Sequence, residues 1–394
     1  MRIAFFSDNN YPELSGITDT ILITGKELTL RGHQVCFVGA RYSKADYAKA
    51  KRTYPHTFEE DKVDGMQFVR LPAFHIPSPT GQSRFALPLG GSFSFLDTFK
   101  PDIIHTQSPY SLGWEALRAA KRYKVPLVGT NHTAVEDFFP LPFVMRAYDA
   151  WYYNHCDFVT APYNKLLERM REKGFNKPSR AVANPAELET FTSVSPQEKD
   201  APKRALGVSG PVLLYVGRLG VEKRVDVLIR ALALLVKEFR TITLVITGHG
   251  AAERSLQKMV KKMGLSNNVQ FTGFIPRDEL AHIYKAADVF TFMSTSDSQS
   301  IALMQAYASG VPAVCARARG LPDYTPPEAG FLVGAGDHKA LAEKVKLLLD
   351  NAPLREQMGA AGAQFVKTFS PEKIATEWEQ IYSDSISRAA SASA

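Results

Sequence analysis

Residues 286–312, AADVFTFMSTSDSQSIALMQAYASGVP, restrict the fold more than any other stretch of the chain. Residues 288–293 form a short run of apolar, aromatic and β-branched side chains, which reads as a buried strand. Residues 294–300 are polar and rich in the types that cap a helix start. Residues 301–308 then read as a helix, ended by Gly310 and Pro312, and residues 311–315 as the next strand. Strand, polar turn, helix and strand in this order make a βα unit of a parallel sheet. Ligands of such sheets collect at the carboxyl ends of the strands, against helix N-termini. The turn at 296–300 is therefore the first place to look for a ligand.

The same cadence recurs along the chain. A strand at 2–7, a glycine-bearing loop at 8–16, a helix at 17–30 and a strand at 34–39 open a doubly wound α/β domain. Strands are expected at 102–106, 126–129 and 158–160, with helices at 112–123 and 165–173. Residues 184–202 read as an interdomain loop. A second series follows: strands at 212–216, 243–247 and 269–272, alternating with helices at 226–239, 252–263 and 278–286. Helices at 340–349 and 371–385 close the chain, and the Ala/Ser tail from Ala389 is expected to be disordered.

A length of 394 residues accommodates two such domains. No run of some 18 apolar residues is present to span a membrane, and residues 1–8 enter a strand without the apolar core of a signal peptide. Cys36, Cys156 and Cys315 lie far apart, show no metal spacing and read as buried free thiols, which fits a reducing cytoplasm. The net charge of +7 permits an anionic partner surface, but no nucleic-acid-binding module is visible.

Several turns at strand ends carry chemistry. Gly217-Arg218-Leu-Gly-Val-Glu-Lys223 starts a helix with two cations, an anion site on physical grounds alone. Gly16 lets the backbone approach a phosphate at the start of the first helix. His132, in Gly129-Thr-Asn-His-Thr, ends another strand, and Asp137 lies five residues on. Thr247-Gly248-His-Gly and Thr272-Gly-Phe274-Ile275 end two more. No Asp-x-Asp occurs, so Arg218 and Lys223 are the expected source of charge neutralisation, without a metal or other cofactor. Residues 41–54 interleave basic side chains with tyrosines, and residues 85–99 add Phe and Leu; together they suggest docking on an anionic membrane surface, against the plainer reading of a solvated loop over core aromatics.

These turns, in this order, resemble the retaining glycosyltransferases of family 4 with the GT-B fold, over nearly the whole chain. That family places two Glu residues, with seven residues between them, across the 294–305 turn and helix, where this sequence has Asp297 and Gln305. The resemblance implies two Rossmann-like domains facing across a cleft. Residues 1–185 would form the acceptor side, residues 186–364 would bind the nucleotide sugar, and residues 365–390 would pack back on the first domain. It implies that Arg218 and Lys223 contact the donor diphosphate, and that Asp297 meets the sugar and Gln305 the ribose. Gly16, Gly217, Gly248, Phe274, Ile275, Gln299, Ser300 and Ile301 would complete the donor pocket. His132 would sit beside the transferred sugar, and Asp137 would orient it or contact the acceptor.

The catalytic set would then be His132, Arg218, Lys223 and Asp297. The segments around His105 and Gly129 are similar to members that glycosylate diacylglycerol-type lipids. The expected activity is retaining transfer of a hexose from a UDP-sugar to a membrane glycolipid precursor by a cytoplasmic enzyme peripheral to the membrane, with no nucleic-acid partner. The alternatives are transfer to a soluble or polyprenol-linked glycan, or a non-catalytic nucleotide-sugar-binding protein, which the changed acids at 297 and 305 would suit.

Overall fold

A computed structural model describes residues 1–12, 16–49, 52–75, 84–132 and 142–393. The chain divides into two compact units, one of Met1–Pro185 with Pro371–Ala394 and one of Ala186–Ser370.

The first unit is built in chain order from β1 (Arg2–Ser7), α1 (Gly16–Leu30), β2 (Gln34–Ala40), α2 (Lys44–Lys49), β3 (Lys62–Val63) and β4 (Met66–Leu71). A hairpin of β5 (Ala73–His75) and β6 (Arg84–Ala86), α3 (Phe93–Phe99), β7 (Ile103–Thr106) and α4 (Ser111–Tyr123) follow. Then come β8 (Leu127–Thr130), α5 (Pro142–Tyr153), β9 (Phe158–Ala161), α6 (Asn164–Arg171) and β10 (Ser179–Ala181). The main sheet runs β10-β9-β8-β7-β1-β2-β4-β3, parallel except for the β3–β4 pair. The central strands β7 and β8 are buried at every position, as strands covered on both faces must be. The order reverses between β1 and β7.

The second unit holds α7 (Asp200–Ala205), β11 (Val212–Val216), α8 (Val225–Leu235), β12 (Thr243–Thr247), α9 (Glu253–Lys262), β13 (Val269–Gly273) and α10 (Arg277–Ala286). It continues with β14 (Val289–Phe292), α11 (Ile301–Ala308), β15 (Ala313–Ala316), β16 (Gly330–Val333), α12 (His338–Asp350) and α13 (Ala352–Phe365). Its sheet is wholly parallel, β13-β12-β11-β14-β15-β16, and reverses between β11 and β14. The loop expected to reach residue 202 ends earlier: Ser195 and Glu198 form a capping box that starts a short helical turn, and α7 begins at Asp200.

The last helix, α14 (Pro371–Ser393), belongs to the first unit. Its apolar positions Ile374, Ala375, Trp378, Ile381 and Tyr382 recur at helical spacing and join one core cluster with Ile3, Phe5, Ile21, Leu28 and Phe37. Its polar side is fixed as well, since Arg31 Nη1 donates to Glu379 at 2.8 Å and His33 Nε2 lies 2.8 Å from the same carboxylate. The tail expected to be disordered continues this helix to Ser393, with Ser391 Oγ bonded to the Ser387 carbonyl. Alanine and serine extend a helix that is already anchored at little cost. Cys36, Cys156 and Cys315 are buried free thiols, and among the described residues no helix is long and apolar enough to cross a membrane.

Trp378 is one of the larger side chains in this cluster and is 5% exposed. Trp378→Ala is expected to lower unfolding free energy by about 3–5 kcal/mol, measured by urea denaturation. A loss below about 1 kcal/mol would mean that α14 contributes little to the core of the first unit.

Candidate active site

The carboxyl edge of the second sheet is closed by backbone meeting backbone. Gly217 N–H donates to the Thr247 carbonyl at 3.0 Å, Leu219 N–H to the His249 carbonyl at 2.8 Å, and Gly248 N–H to the Gly273 carbonyl at 2.8 Å. Gly248 has φ of 124°, and a Cβ there would lie 2.1 Å from the Gly217 carbonyl oxygen. Only glycine fits at that point. The turns after β11, β12 and β13 are thus locked into one surface.

The strand order reverses between β11 and β14, where such sheets open a crevice. The turns on either side of it are joined by charge: Lys223 Nζ lies 2.6 Å from Asp297 Oδ2 and 3.4 Å from Ser296 Oγ. Main chain reinforces the link, as Thr295 N–H donates to the Glu222 carbonyl at 3.0 Å. The Lys223 side chain is only 12% exposed, whereas that of Arg218 is 74% exposed and held by Glu222 at 2.9 Å. Asp297 does not cap α11. Ser300 does, its Oγ accepting from Leu303 N–H at 3.3 Å. The carboxylate of Asp297 is left to the cation.

The other residues expected in a donor pocket divide by exposure. Phe274 is 74% exposed, Ile301 is exposed, and Ile275 is half-buried. Gln299, Ser300 and Gln305 are buried. Gln305 lies at the start of the second turn of α11, and its Oε1 lies 3.1 Å from the Tyr284 hydroxyl, whose one proton it shares with the Ala302 carbonyl at 2.9 Å. The sequence gives no hint of this tyrosine partner, which comes from the face of α10.

The first sheet reverses between β1 and β7. Here the turns are joined by Asp8, whose buried carboxylate accepts from Ser108 Oγ at 2.6 Å, from Ser111 Oγ and from Leu112 N–H at 3.2 Å. Burial raises its proton affinity more than these donors lower it. His132 follows β8, and its Nε2 lies 2.7 Å from Gln107 Oε1. Gln107 Nε2 is 3.0 Å from His105 Nε2, which also meets Thr130 Oγ1 at 2.7 Å, while His105 Nδ1 meets the Tyr382 hydroxyl of α14 at 2.7 Å. Burial pushes the His132 pKa down to about 4, so the ring is neutral near pH 7. The network then assigns the proton to Nε2, donated to Gln107, and leaves Nδ1 as the lone-pair nitrogen.

His105, Gln107 and Tyr382 were not among the expected site residues. The signal lay in the two-residue period of β7, which puts His105 and Gln107 on one face. Gly16 starts α1 and is exposed, and a Cβ there would have nothing within 4 Å among the described residues. Asp137 lies outside the described residues.

The membrane-facing expectation for residues 41–54 is corrected in part. Tyr42 and Tyr47 are buried, and Tyr47 packs edge-on against Tyr11 and Tyr54 at ring separations of 5.9 and 5.2 Å. Burying two of the three tyrosines in apolar contact outweighs presenting them to a lipid interface. Lys51 lies outside the described residues. Of residues 85–99, Leu87 and Leu89 are exposed, while Phe85 pairs with Phe74 at 5.4 Å.

Residues 196–365 match the family described as Glycosyl transferases group 1, and residues 14–190 match Glycosyltransferase Family 4. The chain is 32% identical to a D-inositol 3-phosphate glycosyltransferase of Corynebacterium diphtheriae, over 98% of this chain and 95% of that protein. It is 26% identical to an alpha-monoglucosyldiacylglycerol synthase of Streptococcus pneumoniae, over 80% of this chain and 70% of that protein. Its fold is similar to that of the Anabaena protein Alr3699/HepE, solved in complex with UDP, with a TM-score of 0.78 at 18% identity, covering 98% of this chain and 100% of that one. Two Rossmann-like units, each with its strand order reversing beside candidate site turns, are the architecture of the GT-B glycosyltransferases. The chain belongs to glycosyltransferase family 4 and is a hexosyltransferase.

The neutral, buried His132 has a consequence for stability. Its folded pKa lies below the unfolded value of 6.5, so the unfolded chain binds the extra proton first. The stability this ring contributes is present above pH 6.5 and is lost as pH falls toward 4, by up to about 3 kcal/mol. His105 is depressed in the same direction. His132→Gln is therefore expected to flatten the unfolding free energy between pH 6.5 and 4 without abolishing its slope, as read from urea titrations at several pH values. An unchanged slope would mean that His132 is already charged in the folded protein.

Proposed function

We propose that the chain transfers a hexose from a UDP-sugar to a hydroxyl of a membrane glycolipid precursor such as diacylglycerol, with retention at the anomeric carbon. The Lys223–Asp297 pair across the reversal point of the second sheet carries this reading. Departure of a nucleoside diphosphate leaves negative charge on its terminal phosphate. A shielded ammonium at a locked turn, with the Arg218 guanidinium five residues before Lys223, suits that charge. Asp297 would accept from a sugar hydroxyl while orienting Lys223. With its Oε1 turned to the Tyr284 hydroxyl, Gln305 would offer its Nε2 to a ribose oxygen. The acceptor hydroxyl would attack on the face that the diphosphate leaves, and the leaving phosphate would take its proton. No carboxylate base is then needed, unlike a two-carboxylate hydrolase. Neutral His132 would offer the sugar an uncharged partner. No metal is required by this scheme.

The diacylglycerol synthase relative supports the lipid acceptor. A second reading, transfer to a soluble polyol, is favoured by the inositol phosphate relative, which matches along nearly the whole chain. Two further relatives are named GDP-mannose-dependent, so the donor test includes that nucleotide. The test is a matrix of UDP- and GDP-hexoses against diacylglycerol vesicles and soluble polyols, read by nucleotide release and by the anomeric configuration of the product. A β-linked product from an α-linked donor overturns retention. Failure of every donor to turn over, even by hydrolysis, favours a binding protein.

Lys223→Ala and Arg218→Ala are each expected to cost about 2.7–4 kcal/mol of transition-state stabilisation, a 10²–10³-fold loss of turnover. Arg218→Lys should restore only part, because one ammonium lacks the guanidinium fork. Turnover should persist in EDTA; loss that Mg²⁺ restores would replace the cation scheme with a metal one.

Asp297→Ala should lower turnover far more than UDP affinity, because UDP lacks the sugar. Calorimetry with UDP and with UDP-glucose, beside a thermal melt, checks this. Equal losses for both ligands that track the melt would make Asp297 structural.

A further inference from the structure

The His132 ring is held by a line of side chains that runs through the first unit to its last helix. His132 Nε2 lies 2.7 Å from Gln107 Oε1, Gln107 Nε2 lies 3.0 Å from His105 Nε2, and His105 Nδ1 lies 2.7 Å from the Tyr382 hydroxyl. All four residues are buried, His105 and Tyr382 completely. The His105 ring packs between Phe5, at a ring separation of 5.2 Å, and Trp378, at 4.5 Å, which fixes the direction of its nitrogens. The space beside this line is about 10 Å³, room for one water and no larger group, so no substrate group reaches its middle.

An amide is directional: its oxygen only accepts and its nitrogen only donates. A neutral imidazole has one donor and one acceptor nitrogen, so fixing the role of one fixes the other. Burial keeps both rings neutral. Gln107 Nε2 donates to His105 Nε2, so the His105 proton sits on Nδ1 and is donated to the Tyr382 oxygen. Gln107 Oε1 accepts from His132 Nε2, which leaves the His132 lone pair on Nδ1. Turning the amide over would reverse every bond in the line together. His105 would then carry its proton on Nε2, Tyr382 would donate, and His132 would carry its proton on Nδ1. The Thr130 hydroxyl, 2.7 Å from both His105 Nε2 and Thr160 Oγ1, can donate or accept and fits either arrangement. The bonding at one end of the line therefore dictates the tautomer at the other.

We propose that Gln107 and Tyr382 are positioning residues for His132: the last helix, acting through Tyr382, His105 and Gln107, fixes which ring nitrogen His132 leaves for a ligand. That nitrogen is Nδ1, an acceptor for a hydroxyl of the transferred sugar. The contact with sugar rests on the transfer reading above, whereas the coupling of the two tautomers does not.

The test is heteronuclear NMR of the full chain with isotope-labelled histidine and no donor, which reads the protonated nitrogen of each ring. The His132 signals are assigned by their loss in His132→Gln. The native chain should show the proton on Nε2 of His132 and on Nδ1 of His105. Tyr382→Phe keeps the ring but leaves His105 Nδ1 without an acceptor. Moving that proton to Nε2, where Thr130 and the amide oxygen can take it, avoids an orphaned buried donor. The His132 proton should then move to Nδ1, although the substituted residue does not touch it. In Gln107→Met, of similar length but without the amide, adding Tyr382→Phe should change nothing further at His132. Tyr382→Phe should also lower turnover about tenfold or more with UDP affinity unchanged, as expected when a histidine is held in the wrong tautomer. A His132 tautomer that neither Tyr382→Phe nor Gln107→Met alters overturns the proposal. So does a response of His132 to Tyr382→Phe that persists in Gln107→Met. If the nitrogens exchange as described but no donor is turned over by the native chain, the coupling stands and the transfer reading fails.

Discussion

Parallel pairing is the constraint on which the rest of this molecule depends. When every strand of a sheet runs the same way, each returning connection must cross a face, and all the turns that follow strands fall on one edge. In the second unit this gathers the glycine turns after β11, β12 and β13 beside the polar turn after β14. In the first unit it gathers Asp8, Gln107 and His132, which are far apart in sequence. Glycine is then forced at Gly248, because three turns arriving at one edge bring main chain against main chain.

The two edges solve the same geometric problem with opposite electrostatics. The first is joined by neutral and hydrogen-bonded groups: a carboxylate surrounded by hydroxyl and amide donors, and two imidazoles that burial keeps unprotonated. The second is joined by a full ion pair at 2.6 Å, with a second cation exposed nearby. Under the proposed transfer, the fixed positive charge of the second edge would suit a diphosphate. The neutral donors and acceptors of the first would suit sugar hydroxyls, because they cost less to desolvate.

Most of the βα cadence was legible from residue types. Helix α11 is bounded as expected because Ser300 caps it and Gly310 ends it, both local signals. Helix α13 was not among the expected elements, although Asn351 caps it by accepting from Leu354 N–H at 3.0 Å. In the fold Gly359 lets the helix approach main chain, and a Cβ there would lie 2.1 Å from the Gly310 carbonyl oxygen. The burial of Tyr42 and Tyr47 depended on partners distant in sequence, Tyr11 among them, and no local pattern in 41–54 records that. For the candidate site, Lys223 was singled out by its own turn and Asp297 through the resemblance, whereas Gln107, Tyr284 and Tyr382 make contacts that arise only from tertiary packing.

The Ala186 N–H donates to the Phe369 carbonyl at 2.9 Å, so the two ends of the second unit are tied together. The first unit begins before that tie and is completed by α14 after it. On the ribosome, the core of the first unit must wait for a segment made after the whole second unit. In an unstructured chain, bringing α14 back across residues 186–370 would carry a closure entropy on the order of 5 kcal/mol. Once the second unit has folded, its ends are held together and most of that entropy has already been lost. The order of assembly is therefore set by an insertion: the inner unit matures first, and the outer one closes around the place where it enters and leaves.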